Sequence, residues 1–234
     1  MDSQFWLGLL EIIGVNIVLS GDNAVVIALA ARSLPQRQQR AAIVIGSGAA
    51  IVLRVILTTV TASVLALPYL KLVGALLLLW IGIQLLLPGD EDDGSAAQAA
   101  GHLMAAVRTI LFADLVMSLD NVIAVAAAAH GDLVLLILGL AISIPLIVFG
   151  STLILKLMDR FPGVIKLGAG LLGYVAGEML LSDPMLDAYR QAAIVHGLVP
   201  WVGAGLVIAM GTWMAARINA KRRRQKAVAA GEIR

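Results

Sequence analysis

Two short polar motifs interrupt long apolar stretches of the chain. Residues 18–26 read VLSGDNAVV and residues 116–124 read VMSLDNVIA, so each motif contains Ser-x-Asp-Asn. Carboxylate, amide and hydroxyl oxygens are the ligands that hard cations such as Mg2+, Ca2+ and Mn2+ prefer. The two motifs therefore predict a cation site built from oxygen donors.

The residues around the first motif share one side of a predicted helix. At about 100° of rotation per residue, Asn16, Ser20 and Asn23 fall in one narrow stripe. Asp22 and Glu11 share a second stripe beside it. This polar face is expected to turn away from lipid.

The second motif repeats the arrangement. Asp114, Ser118 and Asn121 form the first stripe, and Asp120 occupies the second. Viewed down the helix axis, Met117 projects between Asp120 and Asn121. A thioether at that place would favour Mn2+ over Mg2+, although most methionines in so apolar a chain serve packing. We expect the two polar faces to meet.

The elements that position these motifs must be membrane spans. The chain is 60% hydrophobic and 14% charged, against about 25% charged residues in soluble domains, and its mean hydropathy is +0.95. Apolar stretches of about 20 residues recur, which is the length that crosses a bilayer as a helix. The composition predicts an all-α polytopic membrane protein, and the lack of Cys excludes disulfides and thiolate metal sites.

Seven transmembrane helices are predicted. They cover residues 5–31, 40–62, 68–87, 109–130, 133–155, 163–181 and 196–217. Under the positive-inside rule the basic tail after the last span is cytoplasmic, and most other basic residues then fall on the same side. The predicted location is the inner (plasma) membrane, with the N-terminus outside.

An internal repeat relates the two motifs through a shift of 98 residues, from Asp22 to Asp120. Because each copy has three spans, the second must be inverted, as in many transporters that bind substrate near the midplane. The predicted divisions are a first repeat (1–87), an acidic flexible cytoplasmic linker (88–108), an inverted second repeat (109–181), a seventh helix (182–219) and a basic tail (220–234).

Five carboxylates lie within the predicted spans: Glu11, Asp22, Asp114, Asp120 and Glu178. An aspartate at a helix centre costs about 2.5 to 3.5 kcal/mol on insertion scales. Arg54 is the one base deep within a span, and it cannot neutralise five acids. Protonation or a bound cation must offset the rest.

The sequence also allows purely structural roles for these polar residues. Asp22 and Asp120 could each form a structural interhelical hydrogen bond, for example with an Asn across the pseudo-two-fold axis, and Asn and Ser often join membrane helices. Glu11 and Glu178 could line a vestibule, and Arg54 could either neutralise an acid or extend to the membrane surface. Glycines at GxxxG spacing in 168–177 favour close helix approach within the bundle, or else a homodimer.

The motif segments NIVLSGDNAVVIALAARSLP and ADLVMSLDNVIAVAAAA resemble the TerC family of integral membrane proteins, named for tellurium resistance. The resemblance implies a seven-span fold related to the lysine-exporter superfamily. It also implies divalent-metal transport, usually manganese efflux, and in some members the supply of metal to exported proteins. By position, the family's motif residues map onto Asn16, Asp22, Asn23, Asp114, Asp120 and Asn121.

The resulting hypothesis is a secondary transporter that exports Mn2+, with Ca2+ or Mg2+ as alternatives and with proton exchange as a candidate coupling. The predicted metal ligands are Asp22, Asn23, Asp120 and Asn121, with Asn16 and Asp114 in support. Residues of the pathway or its surroundings are Ser20, Ser118, Met117, Glu11, Glu178 and Arg54.

Two rival functions come from other classes. One is a membrane scaffold that delivers metal to exported metalloproteins or the secretion machinery. The other is an intramembrane aspartyl protease, which the sequence disfavours because no GxGD motif surrounds either Asp. We expect no enzyme activity, no prosthetic group and no nucleic-acid partner, and contact with membrane lipid.

Overall fold

A computed structural model of the chain describes residues 3–19, 21–60, 69–89, 96–129, 132–186 and 193–229. Every regular element in these ranges is helical. The helices are α1 (Ser3–Leu19), α2 (Gly21–Ala31), α3 (Gln36–Val60), α4 (Leu70–Leu86), α5 (Ala96–Ala128), α6 (Leu133–Arg160), α7 (Gly163–Leu181) and α8 (Ala193–Ala229), with a short 3-10 helix at Pro184–Leu186.

Helix length and composition support a membrane protein. Helices α3, α5, α6, α7 and α8 are each long and apolar enough to cross a bilayer. Helices α1 and α2 form a sixth candidate, with an angle of 51° between them. Helix α4 is apolar but has 17 residues, about 25 Å at 1.5 Å per residue. The all-helical membrane fold is confirmed, whereas the seven-span count and the inversion stay predictions.

Three boundaries differ from the predicted ones. The span expected at 5–31 consists of two helices, α1 and α2. Residues 96–108, expected in a flexible linker, form the first turns of α5 because this segment is rich in Ala, the strongest helix former. The basic tail continues α8 as far as Ala229, since its Lys, Arg, Gln and Ala residues also favour helix.

The interhelical contacts follow a regular pattern. Helix α3 packs on α5, α1 and α2 pack on α6, and α4 packs on α7. Exchanging the first repeat (α1–α4) for the second (α5–α7) exchanges the α3–α5 pairing with the pairing of α1 and α2 on α6, and leaves the α4–α7 pairing unchanged. The pairings are compatible with the predicted repeat, which stays a prediction. Helix α8 lies outside it and packs on α7 and α4.

Two arginines join three helix ends on one side of the bundle. The Arg32 guanidinium, just after α2, donates to the carbonyl oxygen of Leu85 (2.9 Å), and burial lowers the pKa of Arg32. Arg222 of α8 donates to the carbonyl oxygen of Gly89 (2.8 Å). Arg32 and the basic end of α8 are therefore near each other, as the charge distribution predicts.

Helices α7 and α8 approach closely through glycine. A Cβ atom on Gly173 would collide with the backbone of Gly203, and one on Gly177 would collide with the backbone of Val199 and Pro200. The glycine-rich spacing in α7 therefore serves close approach within the chain. The homodimer alternative is not needed to explain it.

Gly203→Ala should force α7 and α8 apart. The added Cβ would meet a backbone carbonyl, which cannot rotate away as a side chain can, so we expect a loss of about 1–3 kcal/mol in stability. Gly205→Ala on the same helix is the control, because a Cβ there meets nothing within 4 Å. Equal melting temperatures of the two variants in detergent would contradict this role of Gly203.

A buried carboxylate joins the ends of α4 and α7. Asp183, just after α7, is 0% exposed and accepts hydrogen bonds from the backbone N–H groups of Leu72 (3.1 Å), Met185 (3.0 Å) and Tyr69 (3.3 Å). Burial opposes ionisation of Asp183, but these N–H donors outweigh it and lower the pKa of the carboxyl. The ionised carboxylate therefore caps the first turn of α4.

Asp183→Asn should lower the melting temperature in detergent, because the amide removes the charge that accepts these bonds. Because the pKa of Asp183 is lower in the folded chain, its ionised carboxylate stabilises the fold at pH values above the unfolded-state pKa of about 3.9. This stabilisation is lost as the pH falls through the folded-state pKa. The difference from wild type should thus be present at about pH 7 and shrink below about pH 4. A pH-independent difference would contradict the capping role, and Asp159→Asn, which alters an exposed aspartate, is the control.

Candidate cation site

A buried polar cluster lies where α1, α2, α3 and α5 meet. It comprises Asn16 of α1, Asn23 of α2, Arg54 of α3, and Asp114 and Ser118 of α5; we call these five residues the polar cluster. Each is less than 9% exposed, and Arg54 is 1% exposed. Four helices thus direct polar groups to one buried point.

Arg54 is the centre of this cluster. Its Nη2 donates to Asp114 Oδ1 at 2.6 Å, which makes a buried ion pair. Its Nε donates to Ser118 Oγ at 3.0 Å, and its Nη1 donates to Asn16 Oδ1. The planar guanidinium therefore contacts an oxygen atom on each of three predicted site residues, as its fork of N–H donors allows.

Asp114 accepts from three residues. Besides Arg54, Asn23 Nδ2 donates to Asp114 Oδ1 at 3.0 Å, and the Ser118 hydroxyl donates to Asp114 Oδ2 at 3.2 Å. A carboxylate in an apolar environment needs such donors and an opposite charge to remain ionised. The cluster supplies both to Asp114.

One oxygen of the cluster has no hydrogen-bond donor. Asn23 Oδ1 is buried and, within the described part of the chain, has no hydrogen-bond partner; the whole residue is 3% exposed. Leaving a buried acceptor unsatisfied costs about 1–3 kcal/mol, and such groups in native structures usually have a ligand or a functional reason. This oxygen is available to a cation.

Asp22 lies at the edge of the cluster, in the first turn of α2. It is half-buried, and its Oδ1 accepts from the backbone N–H of Asn23 at 2.9 Å. The next residue, Asn23, donates to Asp114 at 3.0 Å. Asp22 therefore adjoins a residue of the polar cluster.

The two motifs differ in backbone structure. The first lies where α1 ends at Leu19 and α2 begins at Gly21, whereas the second lies inside the continuous helix α5. An open, mainly apolar groove of about 270 Å³ adjoins the first motif, between Asn16, Gly21 and the Ser143 face of α6.

Other predicted site residues lie apart from the cluster or outside the described part. Met117 packs in the hydrophobic core, so its sulfur is placed among apolar side chains. Glu11 and Glu178 are exposed. Asn121 is half-buried. Ser20 and the Asp120 side chain lie outside the described residues.

Within the described residues, no three His, Asp or Glu side chains converge as a ready-made metal site. The donor set is instead mixed, with one carboxylate, two amides and a hydroxyl around Arg54.

Two residue roles were not predicted from the sequence. Arg54 contacts three partners at once, for which its mid-span position was the signal, and Asp183 acts as a cap, for which the sequence offered no signal.

Comparisons with known proteins agree on one relationship. Residues 1–225 match the model of the integral membrane protein TerC family. The chain is 41% identical over 209 residues to the membrane protein YjbE of Bacillus subtilis (strain 168), covering 89% of this chain and 95% of that protein.

More distant relatives share a smaller part of their length. The membrane protein YceF of the same organism is 27% identical over 170 residues, 69% of this chain and 66% of YceF. The UPF0053 inner membrane protein YoaE of Escherichia coli (strain K12) is 28% identical over 185 residues, 71% of this chain and 36% of YoaE. No solved structure matches the chain.

Arg54 and Asp114 should be strongly coupled in stability. Either single change, Arg54→Gln or Asp114→Asn, leaves a buried charge without its partner. The double variant should therefore be more stable than the sum of the single losses predicts, by about 1–3 kcal/mol. A cycle of melting measurements in detergent tests this, and additive losses would contradict it. Arg54→Gln combined with Glu178→Gln, which alters an exposed residue, is the additive control.

Proposed function

This chain belongs to the integral membrane protein TerC family, and from that premise we propose that it is a secondary transporter of a divalent cation. Mn2+ is the proposed substrate, and export from the cytoplasm is the proposed direction. The observation that carries the proposal is a cluster of oxygen donors buried between membrane helices, in which Asn23 Oδ1 has no donor among the described residues. Polar groups at such a depth are expensive and mark ion pathways.

Formal charge also supports a divalent substrate. Asp22, Asp114 and Asp120 carry three negative charges when ionised, and Arg54 carries one positive charge. The remaining charge of −2 is neutralised by one divalent cation. A monovalent ion would leave a net charge in the membrane, where uncompensated charge is costly.

The ligand chemistry narrows the class of ion. The groups of the polar cluster, together with Asp22, are carboxylate, amide and hydroxyl oxygens, which suit Mg2+, Ca2+ and Mn2+. The chain contains no Cys that would select a soft metal. The choice of Mn2+ among hard ions, and the outward direction, come from the resemblance of the motifs to manganese exporters. A location in the inner membrane, as in the name of the inner membrane protein YoaE, completes the proposal.

The break between α1 and α2 suggests how the site opens. Interrupted membrane helices commonly bind ions at their broken ends, and rocking of one repeat against the other exposes such sites alternately. Here the axes of the two segments differ by 51°, and the adjoining groove lies between the break and α6. We propose that movement of α1 and α2 against α6 admits the ion.

Mn2+ flux into or out of liposomes that contain the purified protein tests transport. Asp22→Asn, Asp114→Asn and Asp120→Asn each remove a charge without changing side-chain size, and each should reduce flux to the level of protein-free liposomes. Glu11→Gln is the matched control, because Glu11 is an exposed carboxylate on α1. Mn2+ binding without flux in the wild type would contradict transport and would favour a role in delivering metal to exported proteins.

A further inference from the structure

We infer that the Arg54 guanidinium is a tethered substitute for the transported cation. It neutralises Asp114 when no cation is bound, and it must leave Asp114 before a cation can bind there. This inference rests on the proposed function and assigns to Arg54 a role in the transport cycle.

The contacts of Arg54 support this role. Its hydrogen bonds run to Asp114 Oδ1, Asn16 Oδ1 and Ser118 Oγ. All three acceptors belong to the oxygen set that a hard cation would use. The positively charged guanidinium thus binds the same oxygen atoms that would coordinate the transported cation.

The geometry makes the two cations mutually exclusive. A divalent cation requires oxygen lone pairs at about 2.0–2.6 Å. Asp114 Oδ1 already accepts N–H groups from both Arg54 and Asn23, and Asp114 Oδ2 accepts from Ser118. The two N–H donors occupy both lone pairs of Asp114 Oδ1, and a dication bound there would also lie against the positively charged guanidinium, so binding of a cation at Oδ1 requires that Arg54 move.

Asp22 offers the displaced guanidinium an alternative partner. It is half-buried at the start of α2, and its neighbour Asn23 donates to Asp114, the partner of Arg54, at 3.0 Å. Arginine has a long flexible stem, so a change of rotamer can transfer its charge between neighbouring carboxylates. Such a transfer would couple occupancy of the site to the position of α2.

This role has a consequence for the transport cycle. A carrier that returns without its ion must move an empty site through the membrane, and a bare buried carboxylate makes that step costly. Arg54 removes that cost for Asp114. Net transport, which includes the empty return, therefore needs Arg54, whereas exchange of one Mn2+ for another does not.

Arg54→Gln separates these activities in the full-length protein. Mn2+ binding is measured in detergent, net Mn2+ flux in liposomes, and exchange with isotope-labelled Mn2+ outside liposomes that are preloaded with unlabelled Mn2+. Because the competing group is removed, Arg54→Gln should bind Mn2+ at least about tenfold more tightly. It should keep exchange and lose net flux. Arg40→Gln, which alters an exposed arginine on the same helix α3, should behave as wild type.

Weaker Mn2+ binding by Arg54→Gln, or equal loss of exchange and net flux, would overturn the inference and leave Arg54 as a structural residue. If Arg54→Gln does not fold, Arg54→Lys provides the test. The lysine ammonium keeps the positive charge but cannot contact all three oxygens. The Arg54→Lys variant should therefore bind Mn2+ more tightly than wild type and retain net flux. Weaker Mn2+ binding by this variant would again overturn the inference. Absence of Mn2+ binding by the wild type would instead refute the proposed function itself.

Discussion

A carboxylate that is buried between membrane helices must be neutralised, and the Arg54–Asp114 ion pair meets this requirement here. The pair joins α3 to α5, and its remaining hydrogen bonds reach α1 and α2. Four helices are thus fixed around one charge pair. Because the desolvation of two ions is offset only when the geometry and the additional hydrogen bonds are good, a small shift of any of these helices weakens the cluster. A site of this kind can respond to the position of its helices.

The two copies of the motif contribute to the cluster unequally. In the first copy the chain is interrupted between α1 and α2, so Asn16 and Asn23 approach from separate helices. In the second copy Asp114 and Ser118 lie one turn apart on the continuous helix α5. The first half brings its two amides in along helix axes that differ by 51°, and the continuous half offers a carboxylate that is held by Arg54. This asymmetry suits a carrier in which one repeat moves against the other.

Much of this arrangement could be predicted from residue type and spacing. The 3.6-residue period placed Asn16 with Asn23 and Asp114 with Ser118, and the depth of Arg54 indicated an acidic partner. Other features depend on tertiary contacts that no local pattern encodes. Gly21 weakens a helix where Leu119 in the second motif favours one, but a single glycine does not predict the 51° angle between α1 and α2. Asp183 follows the sixth predicted span as an ordinary loop residue, and only the folded chain shows that it caps α4.

The most direct measurement is an experimental structure of the full-length protein in lipid, determined with and without Mn2+. The account predicts that the ion lies beside Asp114 and Asn23 Oδ1 and that the Arg54–Asp114 ion pair is then broken. An ion bound only at exposed carboxylates, with the ion pair intact, would contradict it.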